Sequence, residues 1–139
     1  MSKLPEGQTP EEVAGLLKDI IENKVVCDVG CGGGSFMVAL SKYAKEVHGI
    51  EENEEWANIA SNKGFTVMNE NAFSFPLPSA DVYYCWNKSA MGIYLKARFE
   101  GTKGTFIFGH TIRKTLLDLI KTLDHEVRGD EFKVCITKL

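Results

Sequence analysis

VVCDVGCGGGSF, residues 25–36, packs an apolar run, an acid and a glycine-rich turn into twelve residues. Val25 and Val26 begin a run suited to a parallel strand covered on both faces. Gly30, Gly32, Gly33 and Gly34 let the backbone turn sharply and come close to a ligand. Phe36, Met37, Leu40 and Tyr43 then recur at spacings of one, three and four, which predicts a helix over 35–43 lying on that strand. A strand, a glycine turn and a helix in this order read as a cofactor loop.

Turns of this kind serve both dinucleotides and S-adenosylmethionine, and two residues bear on the choice. A dinucleotide fingerprint needs its third glycine three places after the second, where the helix must pack close below a pyrophosphate. That position is Ser35. Asp28, two residues before the first glycine, would set a negative charge beside a pyrophosphate, but it suits the ammonium and sulfonium of S-adenosylmethionine.

On these residues the chain resembles the class I S-adenosylmethionine-dependent methyltransferases, whose first motif alternates an acid and three glycines with arbitrary residues. Asp28, Gly30, Gly32 and Gly34 match it position for position, with Cys31 inside the loop. The resemblance implies a second acid at the end of the next strand, where a carboxylate accepts hydrogen bonds from the ribose hydroxyls. Glu51, followed by Glu52, stands there, 17 residues past Gly34. A third match is Asn71-Ala72, after the apolar 65–68. The family often has Asp there, bonding the adenine amino group, and Asn can accept that bond through its carbonyl oxygen. The implied fold is α/β, a Rossmann-like three-layer sandwich. Its mostly parallel seven-stranded sheet has order 3-2-1-4-5-7-6 and ends in an antiparallel hairpin.

The 139 residues suffice for one domain with a real core, and 1–8 read as a loose tail. A formal charge of -3 and a pI of about 5.6 argue against a general nucleic-acid footprint. There is no long apolar segment and no signal-peptide core, so a cytoplasmic protein is expected. Cys27, Cys31, Cys85 and Cys135 form no CxxC pair and read as reduced core residues rather than metal ligands.

Thr9-Pro10-Glu11-Glu12 is a helix start, with a capping hydroxyl, a proline and an acid in sequence. Val13, Leu16, Leu17, Ile20 and Ile21 then form one apolar stripe, predicting a helix to about residue 23 that covers the core or leads into a lid. A strand is expected over 46–50. Asn53 caps a helix over 53–62 with Trp56, Ile59 and Ala60 inward, ended by Gly64. Residues 71–79 hold too much proline for a helix, so the crossover after the third strand should be reduced to a loop. Phe73 and Phe75 then either fill the gap or wall the adenine.

ADVYYCW, residues 80–86, is the fourth strand, and its carboxyl end matters because ligands on open parallel sheets bind there. Asn87 either orients an acceptor or caps the next helix, and Trp86 is either a pocket wall or core. Strand 105–108 ends at His110, which is either catalytic or structural. A helix from about 112 and a hairpin over 124–128 and 131–138 close the chain.

The chemistry implied is in-line displacement of a sulfonium methyl by a nucleophile, with the chain aligning the reactants and excluding water. Asn87 and His110 are the catalytic candidates, and Tyr84 and Trp86 the substrate-pocket candidates. The TPEEV lead is similar to that of compact protein-lysine N-methyltransferases. A protein lysine, another nitrogen or a small molecule is then the expected acceptor. An alternative is a cofactor-binding but inactive subunit that supports a partner. Ser35 and Asp28 argue against a dinucleotide-dependent oxidoreductase.

Overall fold

The computed structural model describes residues 9–86, 89–108, 124–129 and 134–139. The predicted tail 1–8, the helix expected from 112, and the candidates Asn87 and His110 lie outside them.

Helix α1 (Pro10–Leu16) begins as its sequence dictates: the Thr9 hydroxyl accepts the Glu12 amide at 3.2 Å, and Pro10 opens the first turn. The single helix expected to residue 23 is broken at Leu17, and a short α2 (Lys18–Ile21) follows. The break keeps Val13, Leu17 and Ile21 fully buried. Each such side chain removed from water stabilises the fold by about 1.5–3 kcal/mol.

Strand β1 (Val25–Val29) is central. It pairs in parallel with β2 (Glu46–Ile50) on one side and with β4 (Val82–Cys85) on the other. β3 (Thr66–Met68) and β5 (Thr105–Phe108) extend the parallel part. β7 (Val134–Lys138) inserts antiparallel between β5 and β6 (His125–Arg128). The order is β3-β2-β1-β4-β5-β7-β6, as the resemblance implies. Arg128 grips the Asp19 carboxylate and so ties the edge strand to α2. Its guanidinium holds that carboxyl below the usual range.

Alternation along β1 divides the core into two layers. Val26 joins a cluster with α1 and α3 (Ser35–Ser41) that includes Val13, Phe36, Leu40 and Tyr84. Cys27 and Val29 join another beneath α5 (Ala90–Phe99), with Tyr83, Tyr94 and Phe106. Tyr94 meets Phe106 and Phe108 edge-on, with ring centroids 5.4 and 5.2 Å away. All four cysteines are buried free thiols.

Two expectations need correction. Helix α4 (Glu54–Asn62) is capped by Asn53 as expected, but it buries Ala57 and Ala60, while Trp56 and Ile59 stay 37% and 40% exposed. Small residues face the sheet because α4 packs close against the glycine turn, and the two large ones lie along its flank. The crossover after β3 is a loop, but Leu77 is its buried residue, while Phe73 and Phe75 are exposed. Phe73 lies against α5 at Gly92, where a Cβ would come within 2.9 Å of the ring.

Candidate cofactor site

The site is built where β1 and β2 end. Gly30, Gly32 and Gly34 have φ of +75°, +57° and +88°, in the left-handed region that side chains with a Cβ avoid. The alternating spacing is thus a backbone requirement. Each motif glycine turns the chain, and the residues between them do not. The Gly30 and Cys31 amides donate to the Ile50 carbonyl at 2.8 and 3.2 Å, so the turn is moored to the end of β2.

Glu51 joins the two halves of the site. Its Oε1 accepts the Gly32 amide at 2.8 Å and its Oε2 accepts the Asn53 amide at 2.9 Å. The residue is 7% exposed. These bonds from two different segments fix the orientation of the carboxylate. The side-chain amide of Asn69 donates to the carbonyls of Glu51 and Glu52, both at 2.9 Å, and fixes this corner from below. Sequence reasoning missed Asn69. Its position just past β3 is a signal, but its targets are not.

A cleft of about 220 Å³ opens beside these groups, lined by Gly30, Glu51, Glu52, Asn71 and Ala72 together with Ile93 of α5. Asn71 donates to Glu52 Oε1 at 3.2 Å and accepts the Phe73 amide at 2.8 Å, which sets its side-chain oxygen at the turn. Phe73, for which the sequence allows a wall of the adenine as one reading, and Ser89, which the sequence does not mark, also line the cleft. They reach it only because the loop after β3 and the start of α5 meet there.

Asp28 is 1% exposed and lies level with Gly49 on β2 and Tyr84 on β4. Cys31 turns away from the cleft: its thiol packs where a Cβ on Gly49 would stand. Burial, with Asp28 and Glu51 nearby, pushes that thiol far up, so it stays protonated. Tyr84 and Trp86 are buried in the layer beneath α3. Tyr84 stacks between Phe36 and Trp86, with centroids at 4.5 and 6.4 Å. Burial and Asp28 raise the Tyr84 phenol, whose oxygen has no hydrogen-bond partner among the described residues.

These features fit S-adenosylmethionine. The left-handed glycines let backbone approach a ligand without a Cβ. Asp28, Glu51 and Glu52 gather negative charge at the ends of β1 and β2, which suits a cationic ligand. A family model described as a methyltransferase domain matches residues 27–90, which run from β1 through the glycine turn, Glu51 and Asn71 to the start of α5. No curated protein matches the sequence.

Solved structures resemble the whole fold. The ribosomal protein L11 methylase of Lactobacillus delbrueckii subsp. bulgaricus is 14% identical with a TM-score of 0.68, over 94% of this chain and 76% of that one. The magnesium protoporphyrin IX methyltransferase of Synechocystis PCC 6803, with S-adenosylmethionine bound, is 14% identical with a TM-score of 0.64, over 93% and 76%. The amino pentose methyltransferase of Micromonospora echinaspora is 16% identical with a TM-score of 0.66, over 95% and 64%.

The chain thus carries a methyltransferase-domain match over residues 27–90 and has the sheet order of the class I S-adenosylmethionine-dependent methyltransferases. It is an enzyme, and S-adenosylmethionine is its cofactor. Among the described residues no helix is long and apolar enough to cross a membrane.

Proposed function

We propose that this methyltransferase acts on a nitrogen acceptor, with the amine of a protein lysine as the leading case. The observation that carries the cofactor half of this reading is the Glu51 carboxylate, anchored to both Gly32 and Asn53 at the mouth of the cleft. In this reading Glu51 accepts the ribose hydroxyls, with Glu52 beside it. Asn71 and the Ala72 backbone meet the adenine, and Asp28 with the Gly30–Gly34 turn faces the amino-acid end.

When bound, S-adenosylmethionine supplies the electrophilic methyl carbon, so the chain needs no covalent catalyst of its own. What remains for the protein is alignment and one proton. Burial raises the thiols of Cys27 and Cys31 and the phenol of Tyr84, so these groups stay protonated and supply no base to an acceptor that needs one. An amine acceptor meets that limit, because a weakly hydrated setting favours its neutral, reactive form. Asn87 would orient the attacking nitrogen, and His110 would take its proton.

Calorimetric titration with S-adenosylmethionine and, in parallel, NAD tests the cofactor half, with Asp28→Ala and Glu51→Ala as controls. Binding of the sulfonium compound alone, weakened at least tenfold in both variants, is the expected result. Labelled methyl transfer to lysine peptides, lost in Asn87→Ala, tests the acceptor half. Tight cofactor binding with no transfer to any amine would overturn it in favour of a subunit that supports a partner.

A further inference from the structure

Helix α4 leaves two features unexplained by the cofactor reading. Its capping residue Lys63 extends back over the glycine turn and donates from Nζ to the Gly33 carbonyl at 2.6 Å. Its two large side chains lie on that same turn rather than in the core. A Cβ on Gly33 would come within 3.1 Å of the Trp56 ring and 3.3 Å of Ile59, and one on Gly34 within 3.1 Å of Ala60.

A turn carrying four glycines has more freedom to lose than any other five-residue stretch of this chain, so its ligand-ready shape needs external ties. Gly30, Cys31 and Gly32 are tied to Ile50 and Glu51. Gly34 is tied locally, its amide donating to the Cys31 carbonyl at 3.2 Å. Gly33 sits between these anchors, and the lysine ammonium is what holds its peptide oxygen. A charged donor gives the stronger kind of hydrogen bond, and the tie spans 30 residues of chain.

We propose that Lys63 is a positioning residue for cofactor binding. Its ammonium fixes the Gly33 peptide, with Trp56 and Ile59 packed over it, so that the turn is already in its binding shape before the cofactor arrives. The proposal rests on the cofactor reading above. Lys63 touches no reacting atom in this account and acts only through the loop.

The test compares Lys63→Met, Lys63→Arg and, as a remote control, Lys45→Met by three measurements. These are calorimetric affinity for S-adenosylmethionine, melting temperature without cofactor, and the carbonyl carbon NMR shift of Gly33. Lys63→Met is expected to weaken binding roughly tenfold at a nearly unchanged melting temperature, since a half-exposed charged hydrogen bond adds little to global stability. The Gly33 carbonyl resonance should move, and Lys63→Arg should restore most of the affinity. Unchanged affinity in Lys63→Met with normal wild-type binding would overturn this inference alone. A wild-type protein that binds no S-adenosylmethionine would overturn the cofactor reading and this inference together.

Discussion

The Gly32 amide donates to Glu51 Oε1 at 2.8 Å, so the glycine turn after β1 and the acid after β2 form one hydrogen-bonded unit before any ligand is present. Because the other carboxylate oxygen holds the Asn53 amide just before α4, moving Glu51 would disturb the turn, the helix start and the proposed cofactor contact together.

Replacing Glu51 should therefore cost stability as well as binding. Glu51→Ala leaves two amides in a poorly hydrated corner without their acceptor, at about 1–3 kcal/mol. Glu51→Gln keeps one acceptor and should lose less. Urea denaturation of the three proteins gives the order, and equal midpoints would contradict the bridging role.

Among the glycines, the geometry predicts a ranking. Gly34→Ala must hold φ near +88° and also meets Ala60 at 3.1 Å. Gly64→Ala faces the same kind of conformation, at φ +100°, but in open space. The second should lose about 1 kcal/mol, the conformational penalty alone, and the first clearly more. Thermal unfolding of both variants decides it.

Gly49 leaves the space that Cys31 fills. An added Cβ would stand 2.6 Å from the thiol and 3.0 Å from the Cys31 Cβ, in the middle of a strand paired on both sides. Gly49→Ala should destabilise by about 1–3 kcal/mol through overpacking. Adding Cys31→Ala removes the sulfur but not the Cβ, so it should recover part of the loss. A double-mutant cycle with no coupling would show that the strain lies elsewhere.

His48 sets a pH dependence. Burial holds its pKa below the ordinary 6.5, against an opposing pull from Glu46. Between that lowered value and 6.5 the unfolded chain binds more protons than the folded one, so stability rises with pH. Its contribution is full above pH 6.5 and is lost as pH falls through the window. His48→Gln should flatten this part of a stability-against-pH curve measured by urea denaturation.

Much of this was legible because it is written in local chemistry. Asp28, Gly30, Gly32 and Gly34 announce a turn that needs positive φ at every second position. Thr9 and Asn53 announce helix starts. Prolines in 71–79 announce a missing helix. The alternating elements and the closing hairpin announce a mostly parallel sheet with an antiparallel end, because parallel strands need crossovers and the last pair does not, while the strand order came from the resemblance.

Contacts between distant segments were not legible. Periodicity put Trp56 and Ile59 inside, yet they cover Gly33, because a helix can bury side chains against a neighbouring loop as well as against its sheet. Tyr84 and Trp86 stand at the right end of β4 for a pocket, but the stack with Phe36 draws them into the core layer. Residue type and spacing determined the fold, the cofactor turn and its two acids, since these depend on dihedral preference and burial along a short stretch. Which groups tie that turn down, Glu51 to Gly32 and Lys63 to Gly33, only the tertiary structure decided. A hydrogen bond across 19 or 30 residues depends on where packing brings two strands and a helix together.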